Sequence, residues 1–539
     1  MNDIKNFMGK SRMKRLIVLP FLILLGSVMY GQDSLKNLPE LSLPLTNKKL
    51  VIAHNMTNII RYEGHKIEDC GDPQYYAPTG NVTQNLGGMV QVNVMADKYY
   101  KDSTLESTVE FEMRTAMKCG IDGFQFYYPL RQRGPDDDII IAYFKVADRL
   151  KLDFKLTLCP SHPSELVEKA RIDEYARRMN YIFNAVGRNN SHWLRTPDGR
   201  LVLYLWYGEQ LADVPADSKG LPRMYYAAKA YKELAQKVND NFACVVAINH
   251  EISATETKEY LDYFPAVWMW TLPYTDNYAG KMVATACKER NRTFTGSTFS
   301  DFYTSKVLHK GTWDMYDYAI DAATDGINKI ERKGIITNLS YNYRKLLEFA
   351  TDVKVPIINV ITWNDYPEGH HLAPEVNHNF GFSVLLNYYK ALWKGEPSPY
   401  KDKDVAIAFF KKYKWDIAPT PYNIPIVNIG QSVNPNQEDS IEVVTILKAP
   451  ATLTVNNKTV KMNSGIVSTK FDYAVGNVNV RLSRNNQKIM DFKTPEGITD
   501  KPYRTDRLIY SFSSECLNFY KAIFGNLPVQ YSTEYSTGK

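Results

Sequence analysis

Eight short apolar runs, separated by longer stretches with helical periodicity, constrain the fold of this chain more than any other feature of its sequence. The runs are continuously apolar rather than alternating, which is typical of parallel strands buried on both faces. They occupy residues 50–56, 121–128, 154–159, 201–207, 243–249, 266–272, 293–299 and 356–363.

The stretches between the runs carry apolar stripes at helical spacing. Ile172, Tyr175 and Met179 begin one such stripe. Ala227 and Ala230 begin another. Eight strands with helical crossovers over about 330 residues suit a (β/α)8 barrel. We therefore predict an α/β fold whose (β/α)8 TIM-type barrel spans residues 40–400. A doubly wound open sheet is the alternative, although the chain has no glycine-rich or Walker loop for a nucleotide.

The pattern changes after residue 400. Short alternating strands, separated by Asn- and Gly-containing turns, occupy residues 420–495 and predict a small antiparallel β-sandwich. Residues 496–539 read as a C-terminal tail that contains one short helix at 517–524. The sandwich can bind carbohydrate or brace the barrel, and we favour the brace because it has no obvious row of aromatic residues.

The first 31 residues read as a signal peptide. A basic segment precedes an apolar run of 15 residues at 16–30, which is shorter than the about 20 residues that a membrane span needs. We predict a secreted or periplasmic protein with no stable membrane insertion after cleavage, and an uncleaved anchor is the alternative. Beyond this segment Lys and Arg number 60 against 58 Asp and Glu, so charge gives no support for nucleic-acid binding.

Polar residues at the carboxyl ends of barrel strands are the first candidates for chemistry. The richest such end is 361–371, ITWNDYPEGHH, in which Asp365 and Glu368 directly follow an apolar strand. Pro367 and Gly369 prevent a regular helix there, so a tight turn can direct both carboxylates into one pocket. Two carboxylates with aromatic residues, and with no metal or phosphate motif, point to glycoside hydrolysis.

Other strand ends supply further candidates. Aromatic residues make up 13% of the chain, which suits a surface that stacks on sugar rings. Asp122 is a third candidate catalytic acid. The candidate substrate-binding residues are His54, Tyr127, Tyr128, His162, Trp206, Trp270, Trp363 and His371.

Three segments resemble glycoside hydrolase family 71, the α-1,3-glucanases or mutanases. The stretch 361–371 is similar to the family's WNDYGES segment, 51–56 (VIAHNM) looks like its first strand, and 120–124 (GIDGF) looks like its second. Pro367 and the Gly369–His370 continuation depart from the family pattern at the rim of the pocket.

The resemblance implies a bacterial, secreted member with an endo-α-1,3-glucanase-like activity on a polysaccharide or oligosaccharide. It implies an inverting mechanism and maps the catalytic acids onto Asp365, Glu368 and Asp122. We expect Glu368 to be the general acid and Asp365 the base, although the two roles can be exchanged. A glycosidase of another linkage, such as α-mannan, and a non-catalytic sugar-binding barrel stay open.

Two further expectations follow from a two-carboxylate mechanism. It needs no cofactor and no metal, and adjacent His370 and His371 point apart, so we expect neither. Inversion needs a water between acid and base, so we expect the closest carboxyl atoms of the working pair to lie about 6.5–9.5 Å apart.

Overall fold

The structure is a computed structural model. It describes residues 34–63, 95, 100, 103–130, 136–161, 163, 166–216, 218, 220–274, 277–303, 330–417, 426–430, 438–502 and 507–526. The predicted signal peptide at 1–31 lies outside these residues. No helix in this part of the chain is long and apolar enough to cross a membrane.

Strands and helices alternate through the first two thirds of the described chain. The strands are β1 (Leu50–Asn55), β2 (Gly123–Pro129), β3 (Lys155–Ser161), β4 (Leu201–Leu205), β5 (Phe242–Ile248), β6 (Ala266–Met269), β7 (Thr293–Phe294), β8 (Gly296–Thr298), β9 (Ile330–Gly334) and β10 (Ile357–Val360). The helices are α1 (Leu105–Lys118), α2 (Asp136–Leu150), α3 (Glu168–Val186), α4 (Arg223–Val238), α5 (Ala254–Tyr263), α6 (Tyr278–Glu289), α7 (Tyr341–Asp352) and α8 (Gly381–Lys394).

Parallel pairing organises these strands into two sheets. One has the order β3-β2-β1-β10-β8 and the other the order β4-β5-β6-β7. Only Thr295 separates β7 from β8, and Ser161 at the end of β3 forms a parallel bridge with Trp206, just after β4. Each of the eight predicted runs overlaps a strand, and the predicted α/β class with parallel pairing is confirmed.

Local sequence explains where several helices begin and end. Ser253 and Glu256 form a reciprocal capping box at the start of α5, and Thr104 accepts a hydrogen bond from Ser107 N at the start of α1. Gly395 ends α8 with a positive φ of 75°. In α3 the predicted apolar stripe is buried from Ile172 to Phe183, so the side chains that pack against the strands are those that periodicity selects.

The rest of the described chain is mostly antiparallel. Its strands are β11 (Val405–Lys411), β12 (Ile426–Gly430), β13 (Ser440–Leu447), β14 (Ala451–Val455), β15 (Lys458–Met462), β16 (Gly465–Asp472), β17 (Gly476–Arg484), β18 (Gln487–Ile498) and β19 (Ile509–Ser513), followed by helix α9 (Cys516–Phe524). Two four-stranded sheets, β16-β13-β11-β19 and β15-β14-β17-β18, share an apolar core, and β12 pairs with β9.

The antiparallel sheets extend beyond the predicted 420–495 segment. Strands β11 and β19 lie on either side of that segment in sequence, yet they pair with each other. Every residue of β11 is buried. Its sequence therefore has none of the polar alternation that indicates a half-exposed strand.

A buried ionic cluster joins the two parts of the molecule. The Asp301 carboxylate, just after β8, accepts hydrogen bonds from Lys411 Nζ at 3.2 Å and from Ile509 N at 2.6 Å. Both carboxylate and ammonium are almost fully buried. Burial by itself raises the pKa of Asp301, but Lys411, His378 and the Ile509 N–H outweigh burial and lower it.

Two further buried glutamates strengthen this junction. Glu438 accepts hydrogen bonds from the backbone N–H groups of Thr337 and Asn338, both at 3.0 Å. Glu442 of β13 accepts from Ser340 N at 2.8 Å and from Arg344 at 2.9 Å. The antiparallel sheets therefore supply acceptors for the backbone that leads into α7.

We predict that Lys411→Met destabilises the fold strongly. The substitution leaves Asp301 charged and buried without its main partner, a change that typically costs about 3–5 kcal/mol. Urea denaturation at pH 7, followed by tryptophan fluorescence, measures the loss as a lower midpoint.

The matched control is Lys458→Met, because Lys458 pairs with Asp472 on the exposed face of the sheet. Exposed pairs contribute little to stability, so we expect its midpoint to stay close to that of the unsubstituted protein. Equal midpoints for the Lys411 and Lys458 variants would contradict the role of the buried cluster.

Candidate active site

The loop after β10 carries the two carboxylates that the sequence singles out. Asp365 is the N-cap of a short 3-10 helix, Tyr366–Glu368, and its side chain accepts a hydrogen bond from Glu368 N at 3.3 Å. Gly369 follows with a φ of 73°, and a Cβ there would lie 2.3 Å from Leu508 Cδ2. The turn therefore requires glycine both for its backbone conformation and for space.

His370 joins the carboxylates into a three-group cluster. Its Nε2 lies 2.9 Å from Glu368 Oε2 and 3.9 Å from Asp365 Oδ2. Its Nδ1 lies 3.2 Å from Thr362 Oγ1, which also accepts a hydrogen bond from Asp365 N. Thr362 thus links the imidazole and the Asp365 backbone, and it fixes the ring orientation from the side away from the acids.

Aromatic rings enclose His370. Phe302 stacks on the imidazole with centroids 5.6 Å apart and planes at 13°, and Trp270 meets it edge-on at 5.7 Å. The imidazole itself is fully buried. Hydrogen bonds between the members of the cluster are stronger in such an environment than they would be in water.

His54 lies next to this cluster at the end of β1. Its ring centroid is 5.2 Å from that of Trp270 and 5.9 Å from that of Tyr127. Burial, together with the nearby His370, lowers the pKa of His54 to about 3. His54 is therefore a neutral imidazole at the edge of the site.

Tryptophans continue the wall of the site. Trp206 follows β4 and Trp270 follows β6, and their ring centroids are 4.1 Å apart. Trp268 supports both rings from below, with centroids 6.3 Å from Trp206 and 5.4 Å from Trp270. Trp206 and Trp270 are both only partly buried, so they present ring surface beside the acids.

The structure brings together Asp365, Glu368, His54, Tyr127, Trp206 and Trp270. It does not bring Asp122 to them. Asp122 precedes the first residue of β2, where it accepts hydrogen bonds from Lys390 Nζ at 2.5 Å and Val51 N at 3.0 Å. The site lies at the other end of this strand, about 20 Å away at 3.3 Å per residue. From the sequence, Asp122 is treated as a strand-end residue because it belongs to an apolar run. It lies at the start of that run, however, and therefore at the wrong end of the strand.

Three aromatic candidates face away from the carboxylates. Tyr128 donates to Asp137 and lies under the Arg178 guanidinium, on the helix side of its strand, because neighbouring strand residues alternate in direction. Trp363 is fully buried and donates to Glu112. His371 packs between Tyr366 and His378, and burial lowers its pKa well below the usual value. His162 lies outside the described residues.

Sequence reasoning missed three members of the site. From the sequence, His370 is excluded as a metal ligand because it and His371 point apart. That same divergence lets His370 face the acids while His371 faces away from them. Phe302 directly follows Asp301, whose buried carboxylate holds this part of the chain in place. The sequence does not show that burial, so it gives no signal for Phe302. Trp268 lies in the sixth apolar run two residues before Trp270, and residues at i and i+2 share one face of a strand, a signal that could have found it.

The three-group cluster also has the composition of a metal site. One ligand atom from each of Asp365, Glu368 and His370 lies within 4.8 Å of the others. Two carboxylates and one imidazole can bind a divalent cation such as Zn²⁺ or Mn²⁺. The expectation that no metal is needed therefore requires an experiment.

The same distance corrects the expected spacing of the acids. The predicted separation of about 6.5–9.5 Å is wrong for this pair in the structure, where a carboxylate oxygen of Asp365 and one of Glu368 lie within 4.8 Å. The cause is the 3-10 turn, which places residues three apart on one side, together with His370, which contacts Glu368 and lies close to Asp365.

We predict that His54 makes the fold sensitive to acid. Because its folded pKa of about 3 lies below the unfolded value of about 6.5, the unfolded chain binds the proton first. The contribution of the neutral imidazole to the free energy of unfolding is complete above about pH 6.5 and decreases as pH falls toward 3. At pH 5 the free energy of unfolding is lower by about 2 kcal/mol. Urea denaturation at pH 7.5 and 5.0 measures this loss.

The comparison variant is His54→Asn, which cannot take up a proton. Its loss of stability between the two pH values should be smaller than that of the unsubstituted protein. Equal losses would show that His54 titrates normally in the folded state.

Two comparisons relate the chain to known families. Residues 342–514, which include the acidic loop and most of the antiparallel sheets, match the profile described as Glycosyl hydrolase family 71. A protein of Penicillium rubens described as a mutanase is 28% identical over 25% of this chain and 34% of its own length. The chain therefore spans about a third of the curated relative that it matches.

Solved structures show more distant similarity. The GH99 endo-α-mannosidase from Bacteroides thetaiotaomicron is 10% identical, with a TM-score of 0.39 and coverage of 64% of this chain and 98% of its own. The Bacteroides uniformis β-glucuronidase 2 is 11% identical, with a TM-score of 0.39 and coverage of 72% and 43%. At these scores neither similarity carries an argument about this protein.

The matched segment contains the loop 361–371, on which the resemblance in sequence mainly depends. The Penicillium relative carries the name mutanase, which is the activity that the resemblance gives. The predicted resemblance to glycosyl hydrolase family 71 is confirmed over residues 342–514, which match the profile of that family.

Proposed function

We propose that this protein is a glycoside hydrolase that cleaves α-1,3-glucosidic bonds of a glucan. The observation that carries the proposal is the pair of carboxylates, Asp365 and Glu368, held beside the partly buried rings of Trp206 and Trp270. Paired acids with an aromatic wall are the equipment of glycoside hydrolysis. The choice of α-1,3-glucan draws on the family match and on the name of the Penicillium relative.

The proposed scaffold is a (β/α)8-type barrel formed by β1 to β8 and β10. Thr295 connects the two parallel sheets at one side, and the bridge from Ser161 to Trp206 connects them at the other. Such closure gathers the carboxyl ends of all strands around one mouth, which is where TIM-barrel enzymes hold their active sites. The antiparallel sheets would form the accompanying β-sandwich, a brace for the barrel.

Glu368 is the proposed general acid. In that role it is protonated, and its Oε2–H can donate a hydrogen bond to His370 Nε2 at 2.9 Å. When substrate binds, a glycosidic oxygen takes the place of the imidazole as the acceptor. With Nε2 as the acceptor, the neutral imidazole of His370 carries its proton on Nδ1. This N–H can donate a hydrogen bond to Thr362 Oγ1, 3.2 Å away. His370 is thereby a positioning residue for the acid.

Asp365 is the proposed second carboxylate. Its side chain accepts a hydrogen bond from Glu368 N, a contact that favours the ionised form. It can act as a base toward water or as a nucleophile toward the anomeric carbon, and the spacing of the pair decides between these roles. Secretion through the segment 1–31 fits a polysaccharide substrate, which is found outside the cell.

We predict that the two acid variants differ in their response to the leaving group. Glu368→Gln should lose about 10³-fold on α-1,3-glucan yet lose much less on α-glucosyl fluoride, because a good leaving group needs no acid. Asp365→Asn should lose activity on both substrates. Reducing-sugar and fluoride-release assays measure these rates.

The control variant is Asp122→Asn, whose carboxylate lies at the opposite end of β2 and should not affect the ratio of the two rates. Selective sparing of Asp365→Asn on the fluoride would reverse the two roles. All assays are run with and without EDTA, because activity restored by one divalent ion would make the acidic cluster a metal site. A parallel panel of α-mannans tests the alternative linkage.

The stereochemical course tests whether the observed spacing persists with substrate. A pair this close suits retention, in which Asp365 attacks the anomeric carbon, so a persistent spacing gives the α-anomer as first product. The inversion that the family resemblance implies gives the β-anomer. It requires Glu368 to turn away from His370 and open the pair by about 2 Å or more to admit water. Proton NMR of the early products identifies the anomer.

A further inference from the structure

A second cleft opens at the carboxyl ends of β4 and β5, next to the aromatic wall. It has a volume of about 320 Å³. Its lining residues include Trp206, Tyr207, Glu209, Asn249, Glu251 and Tyr260. None of these except Trp206 takes part in the acidic cluster or its wall as described above.

The cleft shares the Trp206 ring with the wall of the proposed catalytic site. This ring lines the cleft and lies 4.1 Å from Trp270, which in turn lies 5.7 Å from His370. Two ring contacts therefore separate the cleft from the imidazole that contacts Glu368. A chain of sugars that enters the site along this wall would reach the cleft.

Tyr207 stands at the entrance with an unusual backbone. Its φ of 52° is in the left-handed region, which a tyrosine seldom adopts, and 45% of the residue is exposed. The next residue, Gly208, is fixed by a hydrogen bond from Tyr231 to its carbonyl at 3.0 Å. This backbone turns the Tyr207 ring to meet Trp206 edge-on, with centroids 4.9 Å apart. Strain of this kind is characteristic of binding sites.

The polar groups of the cleft suit a neutral sugar. Glu209 is almost fully buried at the wall of the cleft, and burial raises its pKa. Asn249 holds the backbone of Glu251 through a hydrogen bond at 3.0 Å. Carboxyl and amide groups bind sugar hydroxyls, whereas the carboxylates of Glu251 and Glu256, which also line the cleft, repel uronic acids and sulfated sugars.

We propose that this cleft is an additional subsite, which binds a neutral glucosyl unit of the glucan away from the bond that is cleaved. The inference rests on the proposed function and deepens it. Tyr207 supplies a platform for the ring of that unit, and Glu209 and Asn249 accept or donate hydrogen bonds to its hydroxyls. The enzyme therefore favours long chains over short ones.

The test compares Tyr207→Ala on substrates of different length. We expect KM for an α-1,3-linked hexasaccharide to rise about five- to tenfold, the usual effect of losing one aromatic contact. KM for the disaccharide and for α-glucosyl fluoride should change less than about twofold, since neither reaches the cleft. Tyr207→Phe keeps the ring and should behave like the unsubstituted protein.

The matched control is Tyr181→Ala, since Tyr181 is equally exposed, at 49%, but lies on helix α3 away from the strand ends. It should leave both KM values unchanged. Equal weakening of long and short substrates by Tyr207→Ala, or no change in either, would overturn the subsite alone. Failure of the unsubstituted protein to hydrolyse or bind any glucan would overturn the proposed function, and the subsite with it.

Discussion

The buried carboxylate of Asp301 is the interaction on which the geometry of the molecule depends most. It joins β8 to the antiparallel sheets through Lys411 and through the backbone of Ile509. It also fixes the next residue, since Phe302 N donates to it at 2.9 Å. Phe302 then stacks on His370, and Tyr303 N donates to the Glu368 carbonyl at 3.0 Å. The antiparallel sheets therefore hold the segment that shapes the acidic cluster.

Desolvation explains the character of that cluster. His370 is fully buried against Phe302 and Trp270, and His54 is kept neutral by burial. Ionisable groups are expensive to bury, so a fold retains them where their interactions compensate. In the proposed mechanism, proton transfer from Glu368 to a sugar oxygen would benefit from such an environment, because charge that develops there is poorly screened. The same aromatic rings that exclude water would provide the surface for sugar rings.

Patterns that depend on local geometry were read correctly from the sequence. The stripe from Ile172 to Phe183 is the buried face of α3, and each of the eight apolar runs overlaps a strand. Ser340 lies at the N-cap of α7 but makes no side-chain capping hydrogen bond. Its hydroxyl accepts from Arg344 Nε instead, and that guanidinium is held by Glu442 of a distant strand. Asp122 failed for a different reason: it is the second residue of its apolar run, so it lies at the amino end of β2 and not at the carboxyl end where the site forms.

The sequence by itself determined the alternation of strands and helices, the loop that carries Asp365 and Glu368, and the family that this loop resembles. Side-chain periodicity and turn chemistry are local properties, so 3.6- and 2-residue repeats are legible in one chain. Only the tertiary structure decided which aromatic residues meet the acids, how far apart the acids lie and that His370 contacts Glu368. The aromatic contacts join residues more than 60 positions apart, such as Phe302 with His370 and Trp206 with Trp270, and only packing brings them together. The spacing of the acids follows from the local 3-10 turn, whose geometry the residue pattern does not show.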